Sequence, residues 1–133
     1  MIAKNIKIIR ESITKIQPIL LWLIGVWLAY SVGLMGYYKL DPEGMWTNAF
    51  NRWGYPVWFR ILIGVLELAG ALLVIIPKLR HYGGLLLFII MIGALITRII
   101  HGTSTGDALS ITFNAVVFLY LTSYFSEKDS RQE

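Results

Sequence analysis

Four long apolar runs, at about Pro18–Tyr38, Val57–Ile76, Tyr82–Ile100 and Ala108–Phe125, set the limits on what this chain can fold into. Runs of about 18 or more apolar residues are long enough to cross bilayer hydrocarbon as helices. Apolar residues surround each run instead of striping one side, which argues against core helices of a soluble bundle. A membrane barrel needs strict alternation along each strand, and Leu85-Leu86-Leu87-Phe88-Ile89-Ile90 does not alternate. The expected fold class is therefore all-α: an integral membrane four-helix bundle, one domain over 18–125.

Composition agrees. Hydrophobic residues make up 56% of the chain and charged residues 15%, against about 45–50% and about 25% in soluble domains. There is no cysteine, which removes disulfide exchange, thiolate chemistry and Cys-ligated metals from this chain's own repertoire. Two histidines without a second ligand at metal spacing give no metal site either. The formal net charge is +4, but the basic residues flank the spans. A lipid bilayer accounts for them better than nucleic acid does.

Charge also orients the chain. Lys4, Lys7, Arg10, Lys15, Lys78, Arg80, Lys128 and Arg131 fall on one side of a four-span topology, and only Lys39 and Arg52 on the other. The positive-inside rule then places both termini in the cytoplasm. Residues 1–17 have no A-x-A-like cleavage site, so an uncleaved anchor is expected. Ile2, Ile6, Ile9, Ile13 and Ile16 share one helical stripe with lysines around it. This predicts an N-terminal amphipathic interfacial helix on the cytoplasmic face, with Pro18 starting the first span. The alternative is a plain helical extension of that span. Residues 126–133 form a polar tail, expected to fray.

One residue breaks the apolar pattern most sharply. Glu67 lies at the centre of the second run, where an acid costs roughly 2.5–3.5 kcal/mol on insertion scales and marks a functional site by default. Arg60, Gly64, Glu67 and Ala71 share a helix face, so that face must look into the bundle. At 1.5 Å per residue, Glu67 lies roughly 15 Å below the outer surface, Asn114 roughly 10 Å and Arg98 roughly 4–5 Å. Side chains lean toward their helix N-terminus. Glu67, Asn114 and Arg98 are therefore expected to converge in the outer half, with His101 and Asp107 at the rim. The same lean takes Arg60 outward to snorkel. Gly25, Ala29 and Gly33 allow another helix to approach the first span closely. The only long connection, about Lys39 to Pro56, carries Trp46, Trp53 and Tyr55, with Trp58 just beyond. It reads either as an interfacial aromatic belt or as a lid that stacks on a flat ligand. The polar cluster likewise reads as a structural clamp or as a ligand site.

Gly36-Tyr37-Tyr38-Lys39-Leu40-Asp41-Pro42 resembles the G-x-x-K segment of DoxX-like membrane proteins. Gly54-Tyr55-Pro56, followed by Ile63-Gly64-Val65-Leu66-Glu67-Leu68-Ala69-Gly70-Ala71, resembles their G-x-P and I-G-x-x-E-L-x-G-A pattern. Pro77, Gly83 and Met91-Ile92-Gly93-Ala94 also fit, so the likeness spans about Leu20 to Phe125. The resemblance implies a four-helix bundle of the bacterial cytoplasmic (inner) membrane. It also implies kinship with a small subunit linked to a quinol oxidase or thiosulfate:quinone oxidoreductase. It carries over Lys39, Gly64 and Glu67 as site positions. Some related bundles handle thiols through cysteines, and this chain has none.

Three functions follow as expectations. In the first, the chain is a quinone-linked redox subunit with no intrinsic cofactor. Glu67 gives or takes a proton at a quinone oxygen, Arg98 or Asn114 orients the headgroup, and Lys39, His101, Trp53 and Trp58 complete the site. A redox partner protein supplies the electrons. In the second, it is a proton-coupled transporter subunit, which with four spans and no inverted repeat requires a homo-oligomer. In the third, it is a non-catalytic membrane scaffold or assembly factor.

Overall fold

The computed structural model describes residues 1–131, and among them there are five helices and no strand. In chain order these are α1 (Ile2–Lys39), α2 (Met45–Arg52), α3 (Val57–Ile75), α4 (Arg80–His101) and α5 (Thr105–Arg131). Four of them, all but α2, are long and apolar enough to cross a membrane. Consecutive long helices run antiparallel, so the start of α1 and the end of α5 lie at one end of the bundle and α2 lies at the other.

Small residues set the spacing between helices. A side chain on Gly64 would stand 2.7 Å from the carbonyl oxygen of Gly36, and one on Gly36 would stand 2.8 Å from that of Gly64. α1 and α3 therefore cross backbone to backbone, as small residues permit in membrane bundles. Gly70 and Gly83 do the same for α3 and α4: a Cβ on Gly83 would meet the Gly70 carbonyl oxygen at 2.7 Å. Between these crossings Val74, Leu87, Phe118, Leu121 and Phe125 are fully enclosed. Most other large apolar side chains, among them Trp27, Leu72, Ile89 and Phe113, point outward, as lipid-facing residues do.

Three sequence expectations need correction. No helix starts at Pro18, because α1 is continuous with Pro18 inside it. Proline removes one backbone donor and crowds the preceding turn, and the helix runs on regardless; the plain helical extension is what forms. The tail does not fray after Phe125, because α5 continues to Arg131. Asp129 there takes two hydrogen bonds from Arg80, at 2.7 and 3.0 Å, which ties the last turns back to α4. Gln132 and Glu133 lie outside the described residues. Finally, the long connection is not a plain loop. It contains α2, which ends in a Schellman turn: Gly54, at φ +83°, donates to Asn51, and Tyr55 donates to Phe50. Only glycine takes that backbone conformation without strain.

Candidate functional site

The α1–α3 crossing delivers two charged side chains to one place. Lys39 is the last residue of α1, one turn beyond Gly36. Glu67 is one turn along α3 from Gly64. The ammonium of Lys39 donates to both carboxylate oxygens of Glu67, at 2.7 and 2.8 Å. Both residues are buried, Lys39 at 6% exposure and Glu67 at 2%. A buried ion pair of this kind returns its desolvation cost only when the remaining polar atoms are also satisfied. Here both carboxylate oxygens are occupied. The Lys39 ammonium also lies 4.3 Å from the centre of the Trp46 ring, within cation–π range.

Arg60 lies beneath the same corner. It is buried at 4% exposure, and its guanidinium donates to the carbonyl oxygens of Lys39 and, at 3.3 Å, Asp41. Those carbonyls belong to the C-terminal end of α1, where unpaired carbonyls and the helix dipole favour a cation. Arg60 thus caps α1 and fixes the backbone that carries Lys39. It does not snorkel. Its face of α3 turns inward along with Gly64, Glu67, Gly70 and Ala71, and that burial overrides the outward lean of a single side chain.

Glu67, Arg98 and Asn114 make no hydrogen bond or ion pair with one another among the described residues. Arg98 pairs with Asp107 across the α4–α5 turn, at 3.4 Å, with Asp107 mostly exposed. Asn114 is half-buried on α5, and among the described residues Glu67 is paired with Lys39 alone. The cation beside the acid is therefore an ammonium from α1. The guanidinium of Arg98 stays close by another route: it lies over Trp46 and Trp53, at 5.7 and 5.4 Å from their ring centres. Lys39 and Arg98 share the Trp46 ring, so α2 bridges the buried pair to the rim.

Aromatic rings extend that roof. His101, exposed at the end of α4, stacks on Trp53 at 6.2 Å and meets Tyr55 edge-on at 6.4 Å. The Tyr55 and Thr97 hydroxyls share a hydrogen bond of 2.8 Å, which pins the chain after α2 to α4. Trp58 points away, exposed on α3. Asp107 sits in the first turn of α5, but the cap is Ser104, whose hydroxyl accepts from the Asp107 N–H at 3.1 Å. Among the described residues, no group of acids and histidines could hold a metal ion.

Sequence reasoning missed Trp46 and Arg60 as members of this cluster, and missed Lys39 as the partner of Glu67. A signal for Lys39 was present. The buried stripe of α1 runs Gly25, Ala29, Val32, Gly36, Lys39, at alternating spacings of four and three, so the row of small residues points directly at the lysine. For Trp46 and Arg60 the sequence offered only the shared face of Arg60 with Glu67.

Among known protein families, a family model described as the DoxX-like family matches residues 23–123. No curated protein and no solved structure gave a significant match. The aligned stretch takes in α2, α3, α4, the second half of α1 from residue 23 and most of α5, including every member of the polar cluster.

Proposed function

The chain belongs to the DoxX-like family, and from that membership we propose that it is a quinone-linked subunit of the bacterial cytoplasmic membrane whose ligand site is the Lys39–Glu67 corner. Both termini lie in the cytoplasm in this reading, which puts α2 and its aromatic roof on the outer face. The observation that carries it is the buried, bidentate Lys39–Glu67 pair held directly under the Trp46 ring. A quinone headgroup is flat and bears carbonyl oxygens, and the residues present suit it. The Lys39 ammonium can donate to a carbonyl oxygen. The Glu67 carboxyl can hold or release a proton at that oxygen. Trp46 and Trp53 offer ring faces for stacking, and Arg98 above them supplies a second donor. A bound quinone would supply the redox chemistry. The chain supplies position, a proton site and exclusion of water, while a partner protein supplies electrons.

Arg60 has a positioning role in this scheme: by holding the carbonyls of Lys39 and Asp41 it keeps the ammonium aimed at Glu67. The test is a titration of the full chain in lipid nanodiscs with a fluorescent quinone analogue. Wild type, Glu67→Gln and Trp46→Ala are compared. Saturable binding to wild type, weakened in both variants, is the expected result. No binding to wild type removes the site as a stand-alone quinone site.

A second reading has its own support. Every polar atom of the Lys39–Glu67 pair is satisfied within the protein, which is what a helix clamp needs. If the pair only clamps α1 to α3, the double variant Lys39→Leu/Glu67→Leu should fold normally and keep any activity of the complex it serves. Loss of that activity in a well-folded double variant counts against the clamp.

A further inference from the structure

At about 1.5 Å per residue, α1 is roughly 57 Å long, nearly twice the roughly 30 Å of bilayer hydrocarbon. The excess lies at its N-terminal end. The Trp22 indole donates to the Val74 carbonyl, one residue before α3 ends, so the first turns of α1 project past α3. Every residue from 1 to 16 is exposed. Among them Ile2, Ile6, Ile9, Ile13 and Ile16 are between 49% and 76% exposed. Isoleucines left in this state on a helix that leaves the hydrocarbon need a cover.

Their spacing indicates which. The intervals are four, three, four, three, an average of 3.5 residues, as in a coiled-coil seam; Ile8, also exposed, lies off that stripe among the lysines. The period does not stop at the membrane. Leu20, Leu23, Trp27, Tyr30, Leu34 and Tyr37 continue it in register, and all are exposed. If Ile6 and Ile13 are a positions, Ile2, Ile9 and Ile16 are d positions. Lys4, Lys7, Glu11 and Lys15 then fall at f, b, f and c, facing away from the seam. Pro18 is at f as well, so its ring does not obstruct packing. The flanking e and g positions hold Ala3, Asn5, Arg10, Ser12 and Gln17. In a parallel pairing, g of one helix meets the following e of the other, which sets Asn5 against Arg10 and Ser12 against Gln17. Neither pair is repulsive; the Gln17 amide nitrogen donates to the Tyr120 hydroxyl on α5 at 2.8 Å, which leaves its carbonyl oxygen for Ser12.

A groove of about 350 Å³ lies on the seam, lined by Ile13, Ile16, Gln17, Leu20, Leu21 and Ile24. Four of these are spaced i, i+3, i+4 and i+7, the set that forms a hole for a side-chain knob from a facing helix. A membrane-surface helix, by contrast, would have to break away from the span, and α1 is continuous through Pro18.

We propose that this face of α1 is a parallel coiled-coil seam on which copies of this chain assemble. Isoleucine at both a and d favours three or more strands over two. The assembly would set several Lys39–Glu67 sites around one axis, but the proposal does not depend on what those sites bind.

The chain has no cysteine of its own, so single cysteines report cleanly. Ile9→Cys, Ile13→Cys, Lys7→Cys and Glu11→Cys are made in the full chain and oxidised in intact membranes. Covalent pairs of chains should form with the first two and be absent with the last two. In mild detergent, wild type should have the mass of several chains, and Ile9→Lys/Ile13→Lys should fall to one chain while keeping its helical signal. Three outcomes overturn the proposal: a monomeric wild type, cross-linking without regard to position, or cysteines at 9 and 13 that neither cross-link nor react with a water-soluble maleimide. The last would mean that the helix lies against lipid instead.

Discussion

Each end of the bundle carries a bidentate ion pair, and the two pairs are built differently. At the α2 end, Lys39 and Glu67 meet where two glycines bring the helix backbones together, and their side chains are 8% and 3% exposed. At the other end, Arg80 and Asp129 meet at 13% and 12% exposure, on the first residue of α4 and near the end of α5. The Arg80 guanidinium also lies over Phe125, 3.4 Å from its ring centre. Arg80 and Asp129 lie where helices begin and end, so water can reach their charges if the pair opens. Glu67 lies in the middle of an apolar helix and has no such recourse. Breaking the first pair strands a charge, whereas breaking the second only exposes one.

That contrast makes the single removal of Lys39 the largest expected effect. Lys39→Ala leaves the Glu67 carboxylate buried without a partner and should cost about 3–5 kcal/mol of stability, as for other broken buried pairs. Unfolding in mixed micelles or bicelles, followed by helical circular dichroism, measures it. A loss no larger than that of Asp129→Asn would erase the distinction between the two ends. Next comes the crossing itself. Gly36→Ala puts a methyl group 2.8 Å from both the Gly64 carbonyl oxygen and the Glu67 Cβ. Neither is the far end of a flexible side chain, so the helices must move apart. Overpacking of this sort costs about 1–3 kcal/mol, and the same melt reads it. If Gly36→Ala is neutral, the glycines do not set the geometry of the pair.

Asp129→Asn should follow. It removes a charge-assisted, two-pronged contact that is partly solvated, at a cost of about 1.5–3 kcal/mol at most. Its second effect is local: hydrogen exchange in the last two turns of α5 should speed up while α1 and α3 are unchanged. Protection lost equally along all helices would show that this end too belongs to the central core.

The α3 face and the four spans were legible in the sequence because burial writes itself as periodicity. Gly64, Glu67 and Ala71 could be placed inward simply because every other direction on that helix is greasy. Arg60 obeys the same rule. It was misjudged only where a weaker consideration, the lean of one side chain, was set above the face it shares with Glu67. Lys39 entered the site only through the family resemblance, and its burial beside Glu67 was hidden for a different reason. Hydropathy ends the first span near Tyr38, so a lysine just beyond looks like connection, whereas the α-helix and its buried stripe run one residue further. The pairing of Glu67 with Lys39 in place of Arg98 depends on which helices touch, and one chain's hydropathy carries no information about that. α2 was hidden by its length: eight residues are too few to show a period, and its place was masked by aromatic residues that suit a headgroup belt equally well.

The smallest expected effect on stability is also the one that best separates clamp from ligand site. Arg98 and Asp107 form an open pair at the rim, 3.4 Å apart, with Asp107 59% exposed. Exposed pairs contribute about 0.2–1 kcal/mol, so Arg98→Gln should leave the melt almost unchanged. Lys39, Glu67 and Arg60 do not depend on Arg98 for any hydrogen bond. A purely structural cluster would therefore be indifferent to its loss. A ligand bound at this corner would not be, because Arg98 lies over the Trp46 ring that Lys39 also touches and would supply the second donor. Quinone-analogue affinity that falls in Arg98→Gln while the melt holds assigns the corner to binding. Affinity that stays with wild type leaves Arg98 a surface residue and confines any site to Lys39 and Glu67 alone.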